Sequence, residues 1–246
     1  MRDFFSGRSK PIPSPNIWHW PDVYEVENRA QDVDGSIWAA MRAQIDWSGR
    51  DVVDVGCGAG FHLPEFARTA RRVVGVEPHA PLVKAARERT HDSASIDIVQ
   101  GSAESTGLVD ASVDLVHART AYFFGKGCGP GIREAMRILR PGGALLIVDL
   151  DVSAGPYGEW MRADLPKYDS AAVEAFFDAQ GFSLTRVEAR WEFENRDDLR
   201  RVLGIEFTEK TAERAFAQVT GLAFSVGYRI HVRYKPRSLE VAWSKA

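Results

Sequence analysis

The sequence predicts one α/β domain built on a mostly parallel sheet, and three features carry that prediction. The stretch DVVDVGCGAGF at 51–61 runs from apolar residues into an acid and then into glycines at 56, 58 and 60. From there to Asp151, short apolar runs alternate with segments of helical period. Those runs are near-continuous, which requires burial on both faces, as in a parallel sheet with helices on each side.

Taken in order, an apolar run at 52–55 is followed by a helix from about Phe61, a run at Val73 to Val76 and a helix over Pro81 to Arg89. Strands are then predicted at Ile96 to Val99, Val113 to His117 and Ala144 to Leu150. Between the last two lies a helix whose Ile132, Ala135, Met136 and Leu139 share one face. Pro141, Gly142 and Gly143 read as a structural turn into the next strand. After Asp151 the rhythm changes: a helix over Ala171 to Ala179 ends with Gly181 at C′, and an alternating run spans Ser183 to Glu194. Two helical stretches follow, marked by Leu199, Val202 and Leu203 and by Ala212, Ala215, Phe216 and Val219. They form an insertion before a last strand near Tyr228 to Tyr234. At the other end, residues 1–16, with Pro11, Pro13 and Pro15, read as an extended arm. Ile17 to Asp46 is rich in aromatics and helical in its later half, a cap that could act as an aromatic lid.

A net charge of −3 gives no pull toward nucleic acid or anionic membrane, so neither is an expected partner. Cys57 and Cys128 have no paired ligand spacing, which argues against a disulfide framework or a metal site and makes the cytoplasm the expected location. No apolar run reaches the length of a membrane span, and the first twenty residues do not read as a targeting segment.

The glycine loop turns a strand sharply into a helix and lets backbone N–H groups approach a polar ligand. A dinucleotide fingerprint would need Gly or Ala where this chain has Phe61, which counts against NAD. Asp54 brings a carboxylate into the loop, where it repels a pyrophosphate and attracts an ammonium or sulfonium. With VVGVEP at 73–78, QGSAES at 100–105 and VDLVHA at 113–118 following in order, the chain resembles the class I S-adenosylmethionine-dependent methyltransferases of small-molecule type.

The resemblance implies a doubly wound, mostly parallel seven-stranded sheet with an antiparallel last strand, an N-terminal cap and a helical insertion before the last strand. It divides a single domain, 1–246, into the arm and cap (1–46), a cofactor-binding half (47–151) and a C-terminal half (152–246). The implied cofactor is S-adenosylmethionine, leaving as S-adenosylhomocysteine. Asp54 and the backbone of Gly56, Cys57 and Gly58 would hold its methionine end, with Gly60 opening the helix. Glu77, followed by Pro78, would accept both ribose hydroxyls. After Gly101 the family commonly has an acid at the adenine; this chain has Ser102 and then Ala103. His117 and Ala118 fall at the end of the fourth strand, where ligands of open α/β sheets gather.

Beside these stand blander readings. Cys57 reads as packed in the loop, and His117 as a strand-end histidine held by its neighbours, with a place facing the methyl group as the functional alternative. His117 and His19 are the candidate general bases, since imidazole titrates near neutrality. Trp20, Tyr24, Arg119 and Tyr122 are substrate-side candidates, although Trp18, His19, Trp20 and Tyr24 also suit a hydrophobic brace. Arg229, His231, Arg233, Lys235 and Arg237 alternate with apolar residues and read as a solvated basic face, with contact to an acidic substrate or nucleic acid as the alternative. The expected function is methyl transfer to a small or medium-sized acceptor through oxygen or nitrogen, such as a natural-product intermediate. A non-catalytic S-adenosylmethionine-binding regulator, a nucleic-acid methyltransferase and, more distantly, an NAD-dependent reductase are the alternatives.

Overall fold

A computed structural model describes residues 15–122 and 125–237. The strands are β1 (Asp51–Val55), β2 (Arg72–Glu77), β3 (Ile96–Gln100), β4 (Val113–Arg119), β5 (Leu139–Leu150), β6 (Ser183–Glu192) and β7 (Ala223–Tyr234). They form one sheet in the order β3-β2-β1-β4-β5-β7-β6. Neighbours from β3 to β5 run parallel, whereas β7 is antiparallel to both β5 and β6. The seven-stranded, mostly parallel sheet with an antiparallel last strand is therefore as expected.

The continuous apolar strands split their side chains between two cores, as a pleat of period two demands. Val52 with Ala144, Leu146 and Val148 enters one core, and Val53 and Val55 with Leu145 and Ile147 enter the other. The first core is closed by α3 (Ser36–Gln44), α4 (Leu63–Ala67), α7 (Gly155–Asp164) and α9 (Arg196–Glu206). On the opposite face α6 (Gly129–Ile138) and α8 (Ser170–Ala179) supply Ile132, Ala135, Val173 and Phe177. At the sheet's other edge α5 (Ala80–Thr90) packs on β2 and β3.

Local chemistry sets the helix ends. Asp169 caps α8 by accepting from Ala172 N at 3.0 Å, and Gly181 takes φ +80° beyond its C-terminus. Asn195 caps α9 through Asp198 N at 2.8 Å, with Asp197 and Asp198 in the first turn.

Several expectations need correction. The arm at 1–14 lies outside the described residues, while Pro15 and Asn16 already belong to α1 (Pro15–His19). The earlier half of the cap is helical too, because α2 (Pro21–Ala30) precedes α3. The helix after the glycine loop starts two residues later than expected and has five residues. Residues 140–143 lie within β5 as a bulge: pairing steps from Val113 with Leu139 to Leu115 with Ala144. α7 was not foreseen; it buries Tyr157, Trp160 and Met161. As expected, α9 and α10 (Glu209–Gln218) stand between β6 and β7, and α9 packs on α2 of the cap.

Part of the basic face of β7 is also not the solvated surface expected, although Arg237 beyond it is exposed. Arg229 and His231 are 0% and 1% exposed. Because β7 lies between β5 and β6, its face is covered by α8 and the segment before it: Arg229 Nη2 donates to Tyr168 Oη at 2.7 Å, and His231 packs on the Phe177 ring.

Candidate active site

At the C-terminal edge of β1, β2 and β4 a cavity of about 440 Å³ opens beneath α1 and α2. β1 delivers Asp54 to it and β2 delivers Glu77. Between them the loop turns through Gly56, Gly58 and Gly60 at φ +74°, +55° and +79°, a run that only glycines make without strain. The loop is tied to β2 by Gly56 N and Cys57 N, both donating to Val76 O at 2.8 and 3.2 Å.

Glu77 is fixed by two backbone donors, Gly58 N to Oε2 at 3.1 Å and His79 N to Oε1 at 2.9 Å. Each carboxylate oxygen keeps a further acceptor site. Burial lifts the Glu77 carboxyl above its ordinary range, and the two N–H groups oppose that rise. Asp54 is oriented from behind: its Oδ1 lies 2.7 Å from His117 Nδ1, its register partner on β4. A carboxylate only accepts, so the imidazole proton sits on Nδ1.

Cys57 lines the cavity, with its Sγ turned into the space left by Gly75, where a Cβ would come within 2.8 Å of it. Burial pushes its thiol well up, reinforced by Asp54 and Glu77, which suits a packed cysteine and not a nucleophile. Pro78 and Ala103 also face the cavity, as do Tyr24, Arg119 and Tyr122.

Four of the residues assigned to the cofactor do not face it. His117 is 1% exposed and stands behind Asp54 against the Phe66 ring. Ala118 is packed in the core on the α6 side. Gly60 is close-packed on α5, where a Cβ would meet Ala86 Cβ at 3.2 Å. Ser102 is held in a backbone bridge with Ser105. Two acceptor-side assignments also move: His19 is exposed at the end of α1, and Trp20 is 48% exposed beside it, neither lining the cavity.

The residues missed come from the cap and the loops. Ile17 of α1 lies over the glycine loop, so that a Cβ on Gly58 would come within 2.8 Å of its Cδ1. Trp18 lines the cavity and stacks on His79 with centroids 4.2 Å apart. Asn28 and Gln31 of α2 form part of the wall, and so does Glu104, an acid two residues beyond Ser102. The absence of an acid directly after Gly101 was the available signal to look for another nearby. Thr120, also in the wall, has φ +53°, a strained backbone at the end of β4.

Two buried carboxylates reaching one cavity from adjacent strand ends, with an uncluttered glycine backbone between them, suit a cationic ligand that also carries hydroxyls. Residues 53–147 match the methyltransferase domain family model. That match spans the glycine loop, Glu77 and the strands up to β5, so this part of the chain is similar to methyltransferase domains.

Among its relatives, a fatty-acid O-methyltransferase of Mycolicibacterium smegmatis is 30% identical over 142 residues, 56% of this chain and 48% of that protein. A ubiquinone/menaquinone biosynthesis C-methyltransferase of Rubrivivax gelatinosus is 32% identical over 122 residues, 50% and 46% of the two chains. The chain thus spans less than half the length of these relatives. The crystal structure of a SAM-dependent methyltransferase from Aquifex aeolicus superposes with a TM-score of 0.55 at 15% identity, over 86% of this chain and 96% of that one. At that identity the likeness concerns the fold alone.

Proposed function

We propose that this protein transfers the methyl group of S-adenosylmethionine to a small or medium-sized acceptor through an oxygen or nitrogen nucleophile. The observation that carries the reading is the pair Asp54 and Glu77 opening onto one cavity whose far wall is made by the cap. The bound cofactor supplies a methyl group already activated by a sulfonium leaving group.

In this reading the protein's own task is binding, orientation and exclusion of water. Glu77, held by Gly58 and His79, accepts from hydroxyls; Asp54, held by His117, faces the positive charge. Ile17 and Trp18 close over the loop from α1, and Tyr24, Arg119 and Tyr122 form the acceptor end. His117 acts as a positioning residue through Asp54 and not as the base. His62 does line the cavity, but its Nε2 is 3.2 Å from Arg119 Nη1 and is engaged as an acceptor. Relatives described as O- and C-methyltransferases support methyl transfer and leave the acceptor atom to experiment.

Calorimetric titration with S-adenosylmethionine, followed by incubation of metabolite extract with labelled cofactor, tests the reading. Binding and a labelled small product are expected. Folded protein that neither binds the cofactor nor releases S-adenosylhomocysteine contradicts it.

A further inference from the structure

A second cavity of about 300 Å³ adjoins the first and shares Asn28, Gln31, Phe61, His62 and Arg119 with it. Arg119, the last residue of β4, therefore stands in the wall common to both. Its surroundings differ from those of several other arginines near the sheet. Arg71, Arg140 and Arg186 each pair with a carboxylate within 3.1 Å. Arg119 is half-buried, and among the described residues no carboxylate lies within ion-pair distance of it.

Its partners are neutral acceptors. Nη2 donates to Gln31 Oε1 at 2.7 Å, Nη1 donates to His62 Nε2, and the guanidinium lies over the Tyr228 ring at 5.4 Å. Burial, with Arg119 itself, holds His62 well below its ordinary range, and its Nε2 accepts from Arg119. Two acids lie near enough to be felt. Asp32 has its oxygens committed to Ile37 N and Trp38 N at the start of α3. Glu27 is driven well above its ordinary range by burial and by Glu206. A guanidinium withdrawn from water without a counter-ion is costly, and its planar fork fits a carboxylate through two parallel hydrogen bonds.

We propose that Arg119 anchors a carboxylate on the acceptor, which enters the space shared by the two cavities; this rests on the reading that the acceptor and S-adenosylmethionine occupy the same site. Gln31, His62 and Tyr228 hold the guanidinium in place, and its remaining N–H groups are left for the ligand. The assignment concerns recognition, whichever atom of the acceptor receives the methyl group.

The test is calorimetric titration of the full chain, saturated with S-adenosylhomocysteine, using cinnamate and octanoate against cinnamamide and octanamide as uncharged counterparts. Each acid is expected to bind at least about tenfold more tightly than its amide. Arg119→Met is expected to abolish that preference and Arg119→Lys to retain part of it, with affinity for S-adenosylhomocysteine within about threefold of wild type in both. Equal binding of acid and amide by the wild-type protein, no binding of either acid, or a preference that survives Arg119→Met overturns the proposal. In those cases the cofactor reading still stands. Failure of the wild-type protein to bind S-adenosylhomocysteine overturns both.

Discussion

Replacing Asp149 with asparagine is expected to remove a pH-dependent penalty built into the fold. Asp149 is the penultimate residue of β5, opposite Arg229 on β7, and is 0% exposed. Neither of its carboxyl oxygens has a hydrogen-bond partner among the described residues. Burial pushes the carboxyl from 3.8 up to about 7, against an opposing pull from Arg229. Between those two values the folded chain holds a proton that the unfolded chain has lost. The stabilisation is therefore complete below about pH 4, declines as pH rises through about 7, and is constant above. At about 1.4 kcal/mol per pH unit, the interval from 3.8 to about 7 amounts to ~4 kcal/mol. Asparagine cannot titrate, and contributions from other groups cancel in the difference between the two proteins. Urea unfolding of wild type and Asp149→Asn from about pH 4 to about pH 8 should show that difference moving by ~4 kcal/mol in the variant's favour. A difference that stays level across the range refutes the reasoning, since it would mean that Asp149 ionises in the fold as readily as in the open chain.

Three further outcomes follow from individual contacts. On the proposed reading Glu77 accepts ligand hydroxyls, so for Glu77→Gln calorimetry should show affinity for S-adenosylmethionine reduced by ~1.5–3 kcal/mol, about 10- to 150-fold; unchanged affinity would place the ribose elsewhere. His117→Phe leaves the Asp54 carboxylate buried without its donor and should lower unfolding stability by ~1–3 kcal/mol, with the loss falling in an Asp54→Asn background. Gly131→Ala would put a Cβ 2.7 Å from Tyr122 Oη, so a residue change that ordinarily favours a helix should here cost ~1–3 kcal/mol in a thermal melt; a gain in stability would show that the Tyr122 wall of the cavity yields freely.

Legibility in the sequence followed the range of the interactions. Asp54, Glu77 and the glycines were readable because one strand, one turn and the next strand end place them, all within about thirty residues. The α8 boundaries were readable too, since Asp169 and Gly181 act on backbone groups a few positions away. α7 was hidden by Gly155, Pro156 and Gly158, which weaken local helix preference. What supports it is burial of Tyr157 and Trp160 in the core shared with β7, a partner more than sixty residues on. The early part of β5 was hidden likewise, because the Gly142 N–H finds its acceptor at Lys235 O.

The role of His117 shows the same division at the site. A histidine at a strand end could be read from the chain, but its bond to Asp54 exists only because β4 lies beside β1 in a register that sets the two residues opposite each other. Alternation along β7 likewise defined a basic face without saying what covers it, and the position between β5 and β6 buried Arg229 and His231. Periodicity and short-range spacing thus established the strands, the glycine turn and the two acids, because these depend on a residue and its near neighbours. Strand order and the return of the cap over the sheet edge decided which side chains share the cavity, because side chains far apart in sequence meet only after the chain has packed.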